Sequence, residues 1–231
     1  MRESRASGYP PEMAAGPRQR RPARPGGHAL RPEVVAHHKR QQIIGGAAKA
    51  FAERGYRQTS VADIVKASRI ARGSFYEHFG SKEECFFALY DEVTAAALER
   101  VGRACEQSVE EFPERVGAGI GALLETIEAD PDVARVCVVE GPAVGPAITA
   151  RFEKLIGDFA ELLRAGRKDG ASSEFPATVE ETVVGGVYWL LYYALLEGRP
   201  KKMSRLRPQL VEFSLIPFVG AEAAGAAAAA G

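Results

Sequence analysis

From about residue 32 onward, apolar side chains recur every three or four positions and never alternate over a useful length, so the pattern predicts helices and no sheet. Val34, Val35, His38, Ile44, Ala48, Phe51 and Ala52 trace the inner face of a first helix, which Gly55 stops. Ser60, with Asp63 three residues on, has the form of a capping box and opens a short helix over 61–67. Residues 68–70 leave room only for a tight turn before a third helix over 72–79, ended by Gly80. A second such box, Ser81 with Glu84, opens a long helix over 82–110. Amphipathic stretches follow at 112–127, 131–139 (closed by Gly141-Pro142) and 145–167, with breakers at 168–170. Pro176 suits the start of a helix over 177–196, and a last helix covers 208–219, where Pro217 is expected to kink or fray it. The Ala-rich end, 221–231, either extends that helix or frays.

Charge adds a division that hydropathy does not show. The 231 residues carry no net charge, yet residues 1–82 hold 16 Lys/Arg against 6 Asp/Glu, and the remainder 14 against 24. A basic front on a neutral chain points to an anionic partner held by that part: nucleic acid first, a membrane surface as the alternative. Residues 1–32 contain six Pro and four Gly and almost no large apolar side chain, so a disordered basic arm is expected. Its arginines, Arg18, Arg20, Arg21 and Arg24, suit either a solvated tail or an arm reaching a minor groove. The arm lacks the apolar run of a secretory signal and the amphipathic pattern of a transit peptide.

Other chemistry is sparse. Cys85, Cys105 and Cys137 are odd in number and far apart, which excludes a disulfide framework and a Cys-rich zinc site and fits a reducing, cytoplasmic setting. The longest uncharged apolar-rich run, 182–196, has 15 residues, short of the roughly 18 that a bilayer span needs. No nucleophile elbow, phosphate-binding Gly-rich loop, zinc-protease motif or dinucleotide turn is present, and His37-His38 point in different directions along one helix. No catalytic residue, metal site or cofactor is expected; an all-helical enzyme with a basic lid is the remote alternative.

The second and third helices with their tight turn make a helix-turn-helix, whose second helix enters the major groove with its N-terminal side chains at base edges. In the segment Ala71-Arg72-Gly73-Ser74-Phe75-Tyr76-Glu77-His78-Phe79, Arg72 and Ser74 fall early as donors, and Gly73 permits close backbone approach. Tyr76 and His78 face phosphate, Phe75 and Phe79 pin the helix to its neighbours, and Lys82 heads the next helix as a phosphate clamp. Together with Arg40, Ile43, Ile44, Ala47, Phe51, Gly55-Tyr56, Thr59-Ser60-Val61, Ile64, Ile70 and Ser81-Lys82-Glu83, these residues resemble, without a gap, the DNA-binding region of the TetR family of transcriptional regulators. The resemblance covers residues 40–83, about a fifth of the chain. It departs from the family pattern at Arg69, where a Gly is usual in the turn, and at Ala71, where Ser or Thr usually caps the recognition helix.

The resemblance implies an all-α homodimer: a three-helix DNA-binding domain over 33–80, then a larger effector-binding and dimerisation domain over 81–220. Its DNA contacts would be Ser60, Arg72, Gly73, Ser74, Tyr76, His78 and Lys82 on double-stranded operator DNA. Within the helix over 177–196, residues 183–196 carry no charge and large apolar side chains on every side, so this stretch must be buried on every side, which calls for a partner chain as well as a core; a single buried central helix in a monomer is the alternative. Gly185-Gly186 would let another helix approach, and a four-helix interface is expected from Val187, Leu191, Leu195, Leu210 and Phe213. A pocket for a small apolar effector is implied, with Phe86, Phe87, Tyr90, Cys137, Phe152, Phe159, Tyr188 and Tyr192 as its expected lining. Filling it would tilt the long helix and release the operator. A DNA-binding dimer without an effector, controlled by its level or by a protein partner, is the alternative.

Overall fold

The computed structural model describes residues 31–108, 111–167, 176, 178–198 and 200–230. The arginines of the expected basic arm lie outside the described residues. Helix α1 (Pro32–Arg54) starts with proline, whose missing N–H costs nothing in a first turn, and ends on Gly55 at φ 74°. Helix α2 (Val61–Ser68) opens on a complete capping box: the Ser60 hydroxyl accepts from the Asp63 N–H, and the Asp63 carboxylate accepts from the Ser60 N–H. The turn after α2 places Arg69 at φ 54°, the left-handed region, the single such non-glycine among the described residues. That conformation costs a side-chain-bearing residue about 1 kcal/mol.

Helix α3 (Arg72–Tyr76) is shorter than the 72–79 expected. Ala71 supplies no capping bond, and after Tyr76 the chain tightens, with the His78 N–H bonding to the Phe75 carbonyl three residues back. Helix α4 (Lys82–Gln107) follows its Ser81 cap, then α5 (Phe112–Ala129) and α6 (Pro131–Arg135). The expected helix over 131–139 does not run straight through. It widens into a π-turn, Val136–Glu140, and a 3-10 turn, Gly141–Ala143, before α7 (Ala147–Arg167). After α8 (Val179–Leu196) a 3-10 segment, Pro200–Leu206, leads into α9 (Arg207–Ala229). Gly220, at φ 81° and ψ 166°, breaks α9 three residues after Pro217. The Ala-rich end beyond it is packed, with Ala224 and Ala228 buried. The segment Met203–Ala229 is long and apolar enough to cross a membrane by composition, unlike any stretch found by counting uncharged runs. Its backbone break and its partial burial divide it.

Two cores organise these elements. The first joins α1, α2 and α3 to the first turns of α4 through Ile43, Phe51, Ile64, Phe75, Phe79 and Phe86. Here α1 and α2 meet at Gly46, where a Cβ would lie 2.6 Å from the Ser68 backbone nitrogen. The Ser68 hydroxyl donates to the Ile64 carbonyl, and Gln42 reaches across to the Ser68 carbonyl at 2.7 Å. The second core joins α5, α8 and α9 around Leu124, Leu195, Leu210 and Leu215.

Candidate DNA-binding surface and internal cavity

Helix α3 is held from below and open above. Phe75 and Phe79 are buried beneath it, and the Arg40 guanidinium lies 5.1 Å from the Phe79 ring centre while pairing with Glu92 at 2.6 Å. On the outer side Arg72 is exposed, with its guanidinium 5.8 Å from the ring of Tyr76, itself 49% exposed. Ser74 and His78 are half-buried on its flanks. Gly73 has nothing within 4 Å of the position of a Cβ and no positive φ. Nothing inside the protein requires glycine there, although glycine weakens a helix interior by about 1 kcal/mol relative to alanine. The Ser60 hydroxyl at the start of α2 is already engaged with Asp63. That carboxyl is held below its ordinary range first by the Ser60 side chain, then by the Ser60 backbone.

Lys82 departs from the expected phosphate clamp. Its ammonium turns inward and donates to the Tyr56 and Thr59 carbonyls at 2.8 Å each, 4.3 Å from the centre of the Tyr56 ring. Burial lowers its pKa. The reason for the geometry is local: the α1–α2 loop leaves two carbonyls unpaired in front of the first turn of α4, and a lysine at that position reaches both. The same loop receives Glu140 from the π-turn, whose carboxylate accepts the Tyr56 N–H at 3.3 Å and pairs with Arg135 at 3.7 Å.

Below the helix-turn-helix, α4, α5, α7 and α8 line a cavity of about 690 Å³ that is partly open to solvent. Tyr90, Cys137, Phe159 and Tyr188 stand on its wall, as does Val187. Four residues expected there stand elsewhere. Phe86 is fully buried in the first core, where Phe51 and Tyr56 close over it with ring centres at 5.5 and 5.2 Å. Phe87 is covered by the Arg151 guanidinium at 4.1 Å. Phe152 packs behind Tyr188 at 4.7 Å, and Tyr192 stacks on Trp189. The remaining wall is mostly aliphatic, with Val93, Leu123, Leu155 and Val183, and includes the polar residues Thr94, Thr126, Asp130 and Ser214 as well as Glu106 and, near Phe112, Arg115. Those positions lie on ordinary amphipathic helices and carry no sequence signal beyond their apolar faces. At the inner end the Tyr188 hydroxyl donates to the Val138 carbonyl in the π-turn at 2.8 Å. Burial pushes the Cys137 thiol and the Tyr188 hydroxyl up to about 12. Among the described residues no cluster of His, Cys, Asp or Glu is arranged to hold a metal ion.

Helices α8 and α9 leave an apolar face uncovered, and of the five residues expected on it Phe213 alone is there. Leu191, Leu195 and Leu210 are buried in the second core, at 5%, 1% and 0% exposure, and Val187 turns to the cavity. The open face consists of Trp189, Tyr193, Leu196, Phe213 and Ile216, with Trp189 55% exposed. Gly186 does not wait for a foreign helix either. A Cβ there would lie 2.5 Å from the Phe213 ring of the same chain.

Residues 43–89 match the family described as bacterial regulatory proteins, tetR family. The transcriptional repressor AcnR of Corynebacterium efficiens is 41% identical over 64 residues, 28% of this chain and 34% of that protein. The first curated relatives are thus matched over only about a third of their length. The transcriptional repressor KstR2 of Rhodococcus jostii is 34% identical over 143 residues, 58% of this chain and 67% of that protein. Among solved structures, the fatty acid degradation regulator FadR of Bacillus halodurans superposes with a TM-score of 0.69 at 21% identity, over 77% of this chain and 94% of the other. FadR of Bacillus subtilis, solved with stearoyl-CoA, gives 0.68 at 19% identity, over 78% and 98%. With the helix-turn-helix formed and the match to KstR2 extending well past it, the chain belongs to the TetR family of bacterial transcriptional regulators.

Proposed function

We propose that this protein is a cytoplasmic, homodimeric repressor that binds operator DNA through α3 and releases it when a small apolar molecule fills the cavity. The observation that carries the DNA half is the outer face of α3. Arg72, Gly73 and Tyr76 are presented to solvent: Gly73 has no neighbour that requires glycine, and the half-exposed Tyr76 meets only the edge of the Phe75 ring and the Arg72 guanidinium among the described ring contacts. Arg72 is the base reader; Tyr76 and His78 face phosphate, with Ser60 and Ser74 at the groove edge. The DNA-binding unit covers about 33–80 and the effector and dimer unit about 81–220. The cavity of about 690 Å³ supports control by an effector over a regulator without one, since a domain with no ligand packs solid. A protein of the same fold holds stearoyl-CoA, which supports an apolar ligand. The exposed face of α8 and α9 supports a second copy as its cover.

The test is selection of bound sequences from random DNA by the full-length protein, followed by Arg72→Ala. A palindromic site is expected. The variant should relax base preference at one position in each half-site at a cost of about 1–3 kcal/mol. Tyr76→Ala should instead weaken specific and random DNA alike. An equal effect of Arg72→Ala on specific and random DNA would remove it as a base reader.

A further inference from the structure

The cavity is elongated along α4, and its two ends differ in chemistry. Its wall follows α4 over 17 residues, from Tyr90 to Glu106. At about 1.5 Å rise per residue that is a run of ~24 Å. The outer end carries Glu106 and Arg115. Toward the other end the polar wall residues are Tyr90, Thr94, Tyr188, the Cys137 thiol and Asp130, which lies within electrostatic reach of that thiol; Thr126 and Ser214 complete the polar lining, and Arg115 is the one Lys, Arg or His among the wall residues. Thr94 spends its hydroxyl on the Tyr90 carbonyl, and Tyr188 spends its own on Val138.

The Tyr90 hydroxyl remains. The side chain is 4% exposed, stacks on Phe86, and stands within electrostatic reach of Tyr188 and Cys137. Its hydroxyl has no hydrogen-bond partner among the described residues. Burial raises its pKa, so it stays protonated and acts as a donor. Arg151, which lies outside the wall, is paired with Asp91 at 2.9 Å.

We propose that Tyr90 is the polar anchor of this cavity, and that the cavity takes an elongated, uncharged, mostly apolar molecule with a hydrogen-bond-accepting oxygen, such as a ketone or ester carbonyl, at its inner end. The inference rests on the effector reading above and names the class of ligand. A carbonyl meets the donor that the protein leaves open, whereas a carboxylate would be buried without a counter-charge.

Equilibrium dialysis of the full chain against three probes of equal length, 2-dodecanone, dodecane and dodecanoate, tests it. The ketone should bind at least about tenfold tighter than the alkane and tighter than the carboxylate. In Tyr90→Phe the ketone's advantage should shrink to about twofold or less, with dodecane affinity unchanged. A measurement on the unmodified protein stands beside the variant: the carbonyl ¹³C resonance of bound, labelled 2-dodecanone should lie downfield of its position in an alkane solvent, where the carbonyl has no donor. Equal affinity for ketone and alkane, an advantage that survives Tyr90→Phe, a bound carbonyl resonance at its alkane-solvent position, or a preference for dodecanoate each overturns the proposal. Mobility shifts on an operator fragment separate the two readings. Release by dodecane as well as by the ketone overturns the role of Tyr90 and keeps the effector reading. Tyr90-dependent binding without release keeps the ligand class and overturns the effector reading.

Discussion

Replacing Lys82 by methionine keeps the apolar stem and removes the ammonium, and two assignments of this residue then give opposite results. In the structure the ammonium supplies two hydrogen bonds of 2.8 Å to the Tyr56 and Thr59 carbonyls. Bonds from a charged donor contribute about 1.5–3 kcal/mol each. Lys82 is only half-buried and water can reach the vacated carbonyls, so the lower end applies, about 3 kcal/mol for the pair. The contact with the Tyr56 ring acts through the same charge and is not added again. For a chain of this size each kcal/mol shifts the melting temperature by about 2–4 °C, so a fall of roughly 6–12 °C is expected by calorimetry. A phosphate clamp predicts something else: unchanged melting, and a salt dependence of operator binding whose slope falls by about 0.9. Melting within about 1 °C of the parent (well under the ~6 °C lower bound), together with that lower slope, would refute the inward role and return Lys82 to the DNA.

Three further outcomes follow from the packing. Gly46→Ala pushes a methyl into the Ser68 backbone at 2.6–2.7 Å, and since backbone cannot swing aside, a loss of about 1–3 kcal/mol is expected in urea denaturation; an unchanged midpoint would mean that α1 and α2 separate freely. Leu191→Glu should lose the fold and aggregate, because it buries a charge in the second core, whereas Trp189→Glu should melt like the parent yet sediment as a monomer. A folded monomer from Leu191→Glu would contradict the assignment of faces on α8. Asp63 titrates in the folded chain below its ordinary 3.8 because the Ser60 bonds favour the carboxylate. Its contribution is therefore present above 3.8 and lost as pH falls through the depressed value. The gap in stability between the parent and Asp63→Asn should narrow over that acid range, and a constant gap would show that the capping box does not depend on charge.

What could be read from the sequence follows how sharply each residue is marked. Capping boxes, glycine stops and prolines carry local rules, so α1, α2 and the starts of α3 and α4 fall where the pattern puts them. The turn at Arg69 is left-handed as the resemblance required, even with a side chain in place. The second half gives no such marks. On α8 every side is apolar, so nothing in the sequence sets its rotation, and Leu191 and Trp189, two residues apart, end on opposite sides: one in the core, one in solvent. Phe86 and Tyr90 share one face of α4 a turn apart. Only the position of Phe51 and Tyr56, fixed by the tertiary fold, sends Phe86 into the first core and leaves Tyr90 on the cavity wall. The inward turn of Lys82 depends in the same way on two carbonyls contributed by another segment.

These contacts also constrain how the cavity can act on the DNA-reading surface. Cys85, Phe86, Leu89 and Tyr90 are embedded in the first core, so the start of α4 cannot tilt against α1–α3 without opening that core. Adjacent residues further along hold the helix to both sides: Glu92 to Arg40 of α1 at 2.6 Å, Asp91 to Arg151 of α7 at 2.9 Å. A rod-like movement of α4 therefore carries the helix-turn-helix with it, and it works against the first-core contacts of Val136, Cys137 and Ile148 as well as the links at Asp91–Arg151 and between Glu140 and the Tyr56 N–H. Tyr90 stands at the boundary of the two, since its ring stacks on Phe86 in the first core and the residue lines the cavity. A ligand alters operator affinity only by as much as it prefers one arrangement over the other. A molecule that seats its oxygen on Tyr90 and fills the channel behind it acts on both α4 and the π-turn, through Tyr188 and Val138, and so has the contacts from which such a preference is built. If that molecule releases the operator as proposed, operator DNA weakens its binding by the same factor.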